Sequence, residues 1–89
     1  MLAKDVAQKR FRPTRWREGY DTDEVDAFLD EVRATLTAAG EGRSGPRVTA
    51  EAVVATRFTP TRFRGGYDQD EVDDFLDEVV TALRQLEVG

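Results

Sequence analysis

The chain has 89 residues and a mass of 10.0 kDa, room for one small domain or two very small units that share a core. Hydrophobic residues make up 39% and charged residues 35%, a marginal composition for folding but too rich in aromatics and aliphatics for a disordered chain. The net charge of −5 by itself argues against nucleic acid and against anionic lipid, and the absence of cysteine and histidine removes the disulfide framework, the commonest metal ligands and the commonest general base, so no enzyme activity, metal, cofactor or small-molecule substrate is expected.

No apolar run approaches the roughly 18 residues that would span a bilayer, and the opening MLAKDVAQKR lacks the apolar core of a signal peptide, so a cytoplasmic chain is expected. The first element in chain order is a short helix built on Leu2, Val6 and Ala7, without a side-chain cap and so expected to fray. Pro13 stops it, and a loop runs from there to Gly19, read as a glycine that turns the chain through positive φ. Asp21, three residues before Glu24, has the spacing of a capping box and starts a long helix of roughly 18 residues, too short to be stable alone.

The same elements then recur. RFRPTRWREGYDTDEVDAFLDEVRATL from Arg10 aligns without a gap on RFTPTRFRGGYDQDEVDDFLDEVVTAL from Arg57, an offset of 47 residues. The expected organisation is repeat 1 over residues 1–39, a Gly- and Ser-containing linker over 40–48, and repeat 2 over 49–89. In repeat 2 Thr49 caps a short helix with Val53 and Val54 facing inward, Pro60 ends it, Gly66 matches Gly19, and Asp68 with Glu71 starts the second long helix.

Val25, Leu29, Val32, Leu36 and Ala39 alternate by four and three, as do Val72, Leu76, Val79, Leu83 and Leu86, which is a heptad seam. Phe28 and Phe75 flank the seam and are placed to cover a short helix. The predicted fold is therefore all-α, with the two long helices paired in a short parallel coiled-coil-like pseudo-dimer, within one chain or between two in a homodimer.

Charge is segregated within each repeat. Lys9, Arg10, Arg12, Arg15 and Arg17 crowd the first loop region and Arg57, Arg62 and Arg64 the second, while Asp21, Asp23, Glu24, Asp26, Asp30, Glu31 and their counterparts load the long helices. Near an anionic surface each loop cation is worth about 1 kcal/mol and fades within a Debye length, so the basic loops outweigh acids on helices that point away. Asp21 and Asp23 form no calcium loop, because Val25 takes the next ligand position. Read from the residues alone, Trp16 and Phe63 have two roles open to them: an interfacial contact, or packing against Phe11 and Phe58 in a small core.

The pattern F-x-P-T-R-[WF]-R-x-G-Y-D-x-D-E-V-D-x-F-L-D-E-V, from Phe11 to Val32 and again from Phe58 to Val79, resembles the N-terminal domain of DivIVA-type cell-division and polar-growth proteins. The tandem form resembles the DivIVA-domain repeat proteins of high-GC Gram-positive bacteria. The resemblance implies a parallel helical pair whose crossed loops put an aromatic and an arginine into the membrane, here Trp16 with Arg17 and Phe63 with Arg64, joined by the neighbouring Arg15 and Arg62. It implies a membrane-associated scaffold at the inner face of the cell membrane; the alternative, read from the acidic helical faces and the seam, is an interaction module that binds a partner helix or a longer DivIVA relative without contacting membrane. The family's long C-terminal coiled coil has no counterpart in these residues.

Overall fold

The computed structural model describes residues 1–43 and 48–88, the last by its backbone alone. In chain order the elements are α1 (Ala3–Gln8), β1 (Pro13–Thr14), β2 (Gly19–Tyr20), α2 (Thr22–Gly40), α3 (Ala50–Ala55), β3 (Pro60–Thr61), β4 (Gly66–Asp68) and α4 (Gln69–Val88). The all-α expectation is overturned: the four short strands form one antiparallel sheet in the order β1-β4-β2-β3, and the fold is α+β.

The sheet exists because the two repeats exchange strands. β1 pairs with β4 of the other repeat, Pro13 opposite Tyr67 and Thr14 opposite Gly66, and β3 pairs with β2, Thr61 opposite Gly19 and Pro60 opposite Tyr20. β2 and β4 meet at the centre, Tyr20 opposite Tyr67. Pro13 and Pro60, which lack an amide donor, each open an edge strand, where the missing N–H leaves no ladder bond unmade. Backbone bonds extend the exchange: Asp21 N–H donates to the Thr59 carbonyl at 2.9 Å, and Asp68 N–H to the Arg12 carbonyl at 2.8 Å.

Gly19 and Gly66 do not turn the chain by positive φ, which among the described glycines belongs to Gly42. They are glycines because the exchanged strands lie on them. A Cβ on Gly19 would overlap Thr14 Oγ1 and stand 2.7 Å from the Tyr67 carbonyl oxygen; one on Gly66 would overlap Thr61 Oγ1 and stand 3.0 Å from the Tyr20 oxygen.

Both long helices follow the central strands, and Tyr20 and Tyr67 reach Asp73 of α4 and Asp26 of α2 near the helix N-termini, so the two helices start at the same end. Val25, Leu29, Val32 and Leu36 of α2 and Val72, Leu76, Val79 and Leu83 of α4 are all buried in one cluster with Val6, Ala50, Val53 and Phe75. Burial thus extends along these positions to Leu36 and Leu83, whereas Leu86 is 45% exposed. A two-stranded coiled coil is not what covers them. α1 packs closely on α2 and α3 on α4, and Val6, Ala50 and Val53 of the short helices are buried in the same cluster as the long-helix residues.

The caps hold with one change. Asp21 accepts from Glu24 N–H at 3.0 Å, Asp68 from Glu71 N–H at 3.0 Å, and Thr49 from Ala52 N–H at 3.1 Å. α1 is secured without a side chain at its cap, because the Asp5 carboxylate accepts from Leu2 N–H at 2.8 Å. The capping boxes are only half made: Glu24 turns away from Asp21 and takes the Thr59 N–H at 2.7 Å, and Glu71 takes the Arg12 N–H at 2.7 Å. Of the two valines expected inside α3, Val53 is buried and Val54 is 54% exposed. α2 runs one residue past the expected limit of repeat 1, and residues 44–47 of the expected linker lie outside the described residues. At the linker's end Val48 packs against the core and its N–H donates to Thr35 Oγ1 at 3.0 Å, so the two repeats form one packed body.

Candidate functional site

Strands two or three residues long leave residues 15–18 and 62–65 as two tips that hang from the sheet beside the N-termini of α2 and α4. The tips adjoin one another: Glu18 of the first lies 3.5 Å from Arg62 of the second and accepts from the side chain of Gln69, the first residue of α4, at 3.3 Å. Trp16 is 80% exposed and Phe63 74% exposed.

The small-core reading of these aromatics does not hold, because Phe11 and Phe58 have other partners. Phe11 packs against Tyr67 at 5.3 Å between ring centroids and edge-on against Phe75 at 5.9 Å; Phe58 does the same with Tyr20 at 5.4 Å and Phe28 at 5.8 Å. The exchange carries each repeat's leading phenylalanine onto the other repeat's aromatic pair, and Trp16 and Phe63 are left outside. At Phe63 the backbone sits at φ 62°, a left-handed conformation that costs a non-glycine residue about 1–2 kcal/mol. Burial of the ring offers no return for that strain.

Three of the four tip arginines face acids. Arg17 pairs with Asp68, which is nearly buried, Arg64 with Asp21 at 3.4 Å, and Arg62 with Glu18 at 3.5 Å. Arg15 makes no ion pair among the described residues. The cap aspartates are held below their ordinary carboxylate range: Asp21 first by the Glu24 N–H and then by Arg64, against an opposing desolvation, and Asp68 first by the Glu71 N–H, with Arg17 adding to it. Below the tips, Tyr20 donates to Asp73 at 2.8 Å and Tyr67 to Asp26 at 2.7 Å, each across to the other repeat's long helix. Burial, and then the carboxylate each one faces, pushes both phenols up to about 12.

All six residues expected at a membrane surface, Trp16, Arg17, Phe63, Arg64, Arg15 and Arg62, thus lie at one end of the molecule, and the seam residues lie away from it in the core. Sequence reasoning missed the cross-repeat roles of Asp21, Asp68, Glu24 and Glu71. A faint signal for the first two was available: Arg17 and Asp21 stand four apart in a segment that is not helical, so each had to find its partner elsewhere. Among the described residues no group of three or more acids is arranged to hold a metal ion, and no helix is long and apolar enough to cross a membrane. Comparison with protein-family models, curated proteins and solved structures found no match.

Proposed function

We propose that this chain is a non-catalytic scaffold or adaptor that binds an anionic membrane surface peripherally through its two tips, in the manner its resemblance to DivIVA-type proteins implies, with a role in bacterial cell division or polar growth. The observation that carries the reading is the exposure of Trp16 and Phe63 together on adjoining, arginine-bearing loops. An aromatic side chain withdrawn fully from water hides roughly 150–250 Å², about 4–6 kcal/mol at 25 cal/mol/Å². Set against the loss of freedom on binding, two such contacts give reversible attachment rather than a permanent anchor. The strained backbone at Phe63 supports the same reading, since it holds a large apolar ring in water where nothing in the fold uses it.

A helix-recruiting role for the seam gains no support, because Val25, Val32, Val72 and Val79 are fully buried within the chain. The test is the double substitution Trp16→Ser with Phe63→Ser, read by co-sedimentation with phosphatidylglycerol vesicles and by thermal unfolding. The expected result is lost vesicle binding with an unfolding temperature within a few degrees of the parent. Retained binding would refute the proposal, and a collapse of stability would return the tips to the core.

A further inference from the structure

The two tips are related by the 47-residue repeat, yet their charges are not. Aligning the repeats sets Arg15 on Arg62, Arg17 on Arg64 and Glu18 on Gly65. Arg62 has Glu18 at 3.5 Å, but the position from which a carboxylate would reach Arg15 in the same way is Gly65, which has no side chain. Arg17 and Arg64, the arginines that follow the tip aromatics, are tied to the helix-capping Asp68 and Asp21. Arg15 is exposed and adjoins Trp16, the more exposed of the two aromatics.

A guanidinium already facing a carboxylate presents little net field beyond that pair and must give the carboxylate up to bind a second anion. Arg62, Arg17 and Arg64 are in that position, and Arg15 is not. From this asymmetry we infer that Arg15 is the specificity-determining residue of the tip surface, reading the phosphate of an anionic lipid headgroup beside the inserted Trp16 ring, while the second tip contributes the apolar contact of Phe63. The planar guanidinium suits the task, because its paired N–H donors match two phosphate oxygens. This inference rests on the membrane reading proposed above and adds to it that the contact is one-sided: the first tip selects charge, and the second adds affinity to any lipid surface.

The experiment measures partition of the full chain onto vesicles of mixed phosphatidylglycerol and phosphatidylcholine, and onto phosphatidylcholine alone. The variants are Arg15→Gln, the paired removal Glu18→Gln with Arg62→Gln, and Arg84→Gln towards the far end of α4. Arg15→Gln should lower partition onto the phosphatidylglycerol vesicles about fivefold, the effect of one basic residue at an anionic surface, and lower the phosphatidylcholine value less than twofold, because choline offsets the charge of that phosphate. The paired removal and Arg84→Gln should stay within about twofold of the parent on both. Circular dichroism should show the same fold in every variant, since Arg15 makes no ion pair among the described residues and Glu18 and Arg62 are exposed.

An Arg15→Gln loss no greater than that of Arg84→Gln, or a paired removal as costly as Arg15→Gln, overturns the inference and leaves the membrane reading intact. A parent chain that fails to bind phosphatidylglycerol vesicles overturns both.

Discussion

Two hydroxyls in the exchanged sheet provide a sharp test of how the tips are held. Thr61 is 1% exposed and Thr14 7%, and neither Oγ1 has a hydrogen-bond partner among the described residues. A buried hydroxyl left unsatisfied costs about 1–3 kcal/mol. Thr61→Val keeps the branched shape, removes the stranded oxygen and puts a methyl in its place. Because Gly66 lies directly against that oxygen, the slightly larger methyl takes back part of the gain, leaving a net stabilisation of about 1 kcal/mol. For a domain of this size that raises the unfolding temperature by roughly 4–8 °C, measurable by circular dichroism at 222 nm. Thr61→Ser, which keeps the oxygen and loses the methyl, should lower it by a similar amount. If Thr61→Val lowers the unfolding temperature instead, the hydroxyl has a partner in solution and the description of the exchanged strands is wrong at that point. Thr14→Val should behave alike, but the two threonines share the space around Gly19 and their effects are not expected to add simply.

The neighbouring glycines separate close packing from backbone freedom: Gly66→Ala should be strongly destabilising in denaturant unfolding, while Gly65→Ala, with nothing within 4 Å of the new Cβ and no positive φ, should be neutral or slightly stabilising. A spectrophotometric titration at 295 nm should find Tyr20 and Tyr67 ionising near 12, in contrast to 10 for free tyrosine; because the folded value is the higher one, the stability they contribute is complete below pH 10 and is lost as pH rises towards 12. Asp21 and Asp68 act in the opposite sense: their folded values lie below 3.8, so their contribution is complete above that pH and is lost as pH falls through the lowered values. Substituting both with Asn, which still caps a helix, should therefore flatten the acid limb of stability below about pH 4, and an unchanged limb would show that other groups dominate it.

Much of this architecture was legible in the residues. The repeat announced a two-fold arrangement, and the paired contacts Tyr20 to Asp73 and Tyr67 to Asp26 obey its 47-residue offset. Asp21, Asp68 and Thr49 sit where their short polar side chains cap helices, and the seam is apolar at every position that the core buries. The strands were not legible, because two or three residues carry no alternation to read and their existence depends on a partner about 50 residues away. Pro13 and Pro60 were read as helix stops, but the short helices already end at Gln8 and Ala55, and each proline instead opens an edge strand. Gly19 and Gly66 show an ambiguity: a tight turn and a close backbone contact both demand glycine, and only the structure distinguishes them. Glu24 and Glu71 had the right spacing for a local bond to their caps, and the competing amide that captured each of them belongs to the other repeat. At the tips, composition marked the basic clusters and the aromatics, while the neutralising partners Asp68, Asp21 and Glu18 became visible only once the loops crossed.

The central claim is that the exposed tip aromatics meet a lipid surface, and Trp16, the only tryptophan in the chain, reports on it directly. Its emission should be that of a water-exposed indole in buffer, shift to the blue as phosphatidylglycerol vesicles are added, and shift less with phosphatidylcholine. An emission already blue without lipid, or one indifferent to both vesicles, would contradict the account.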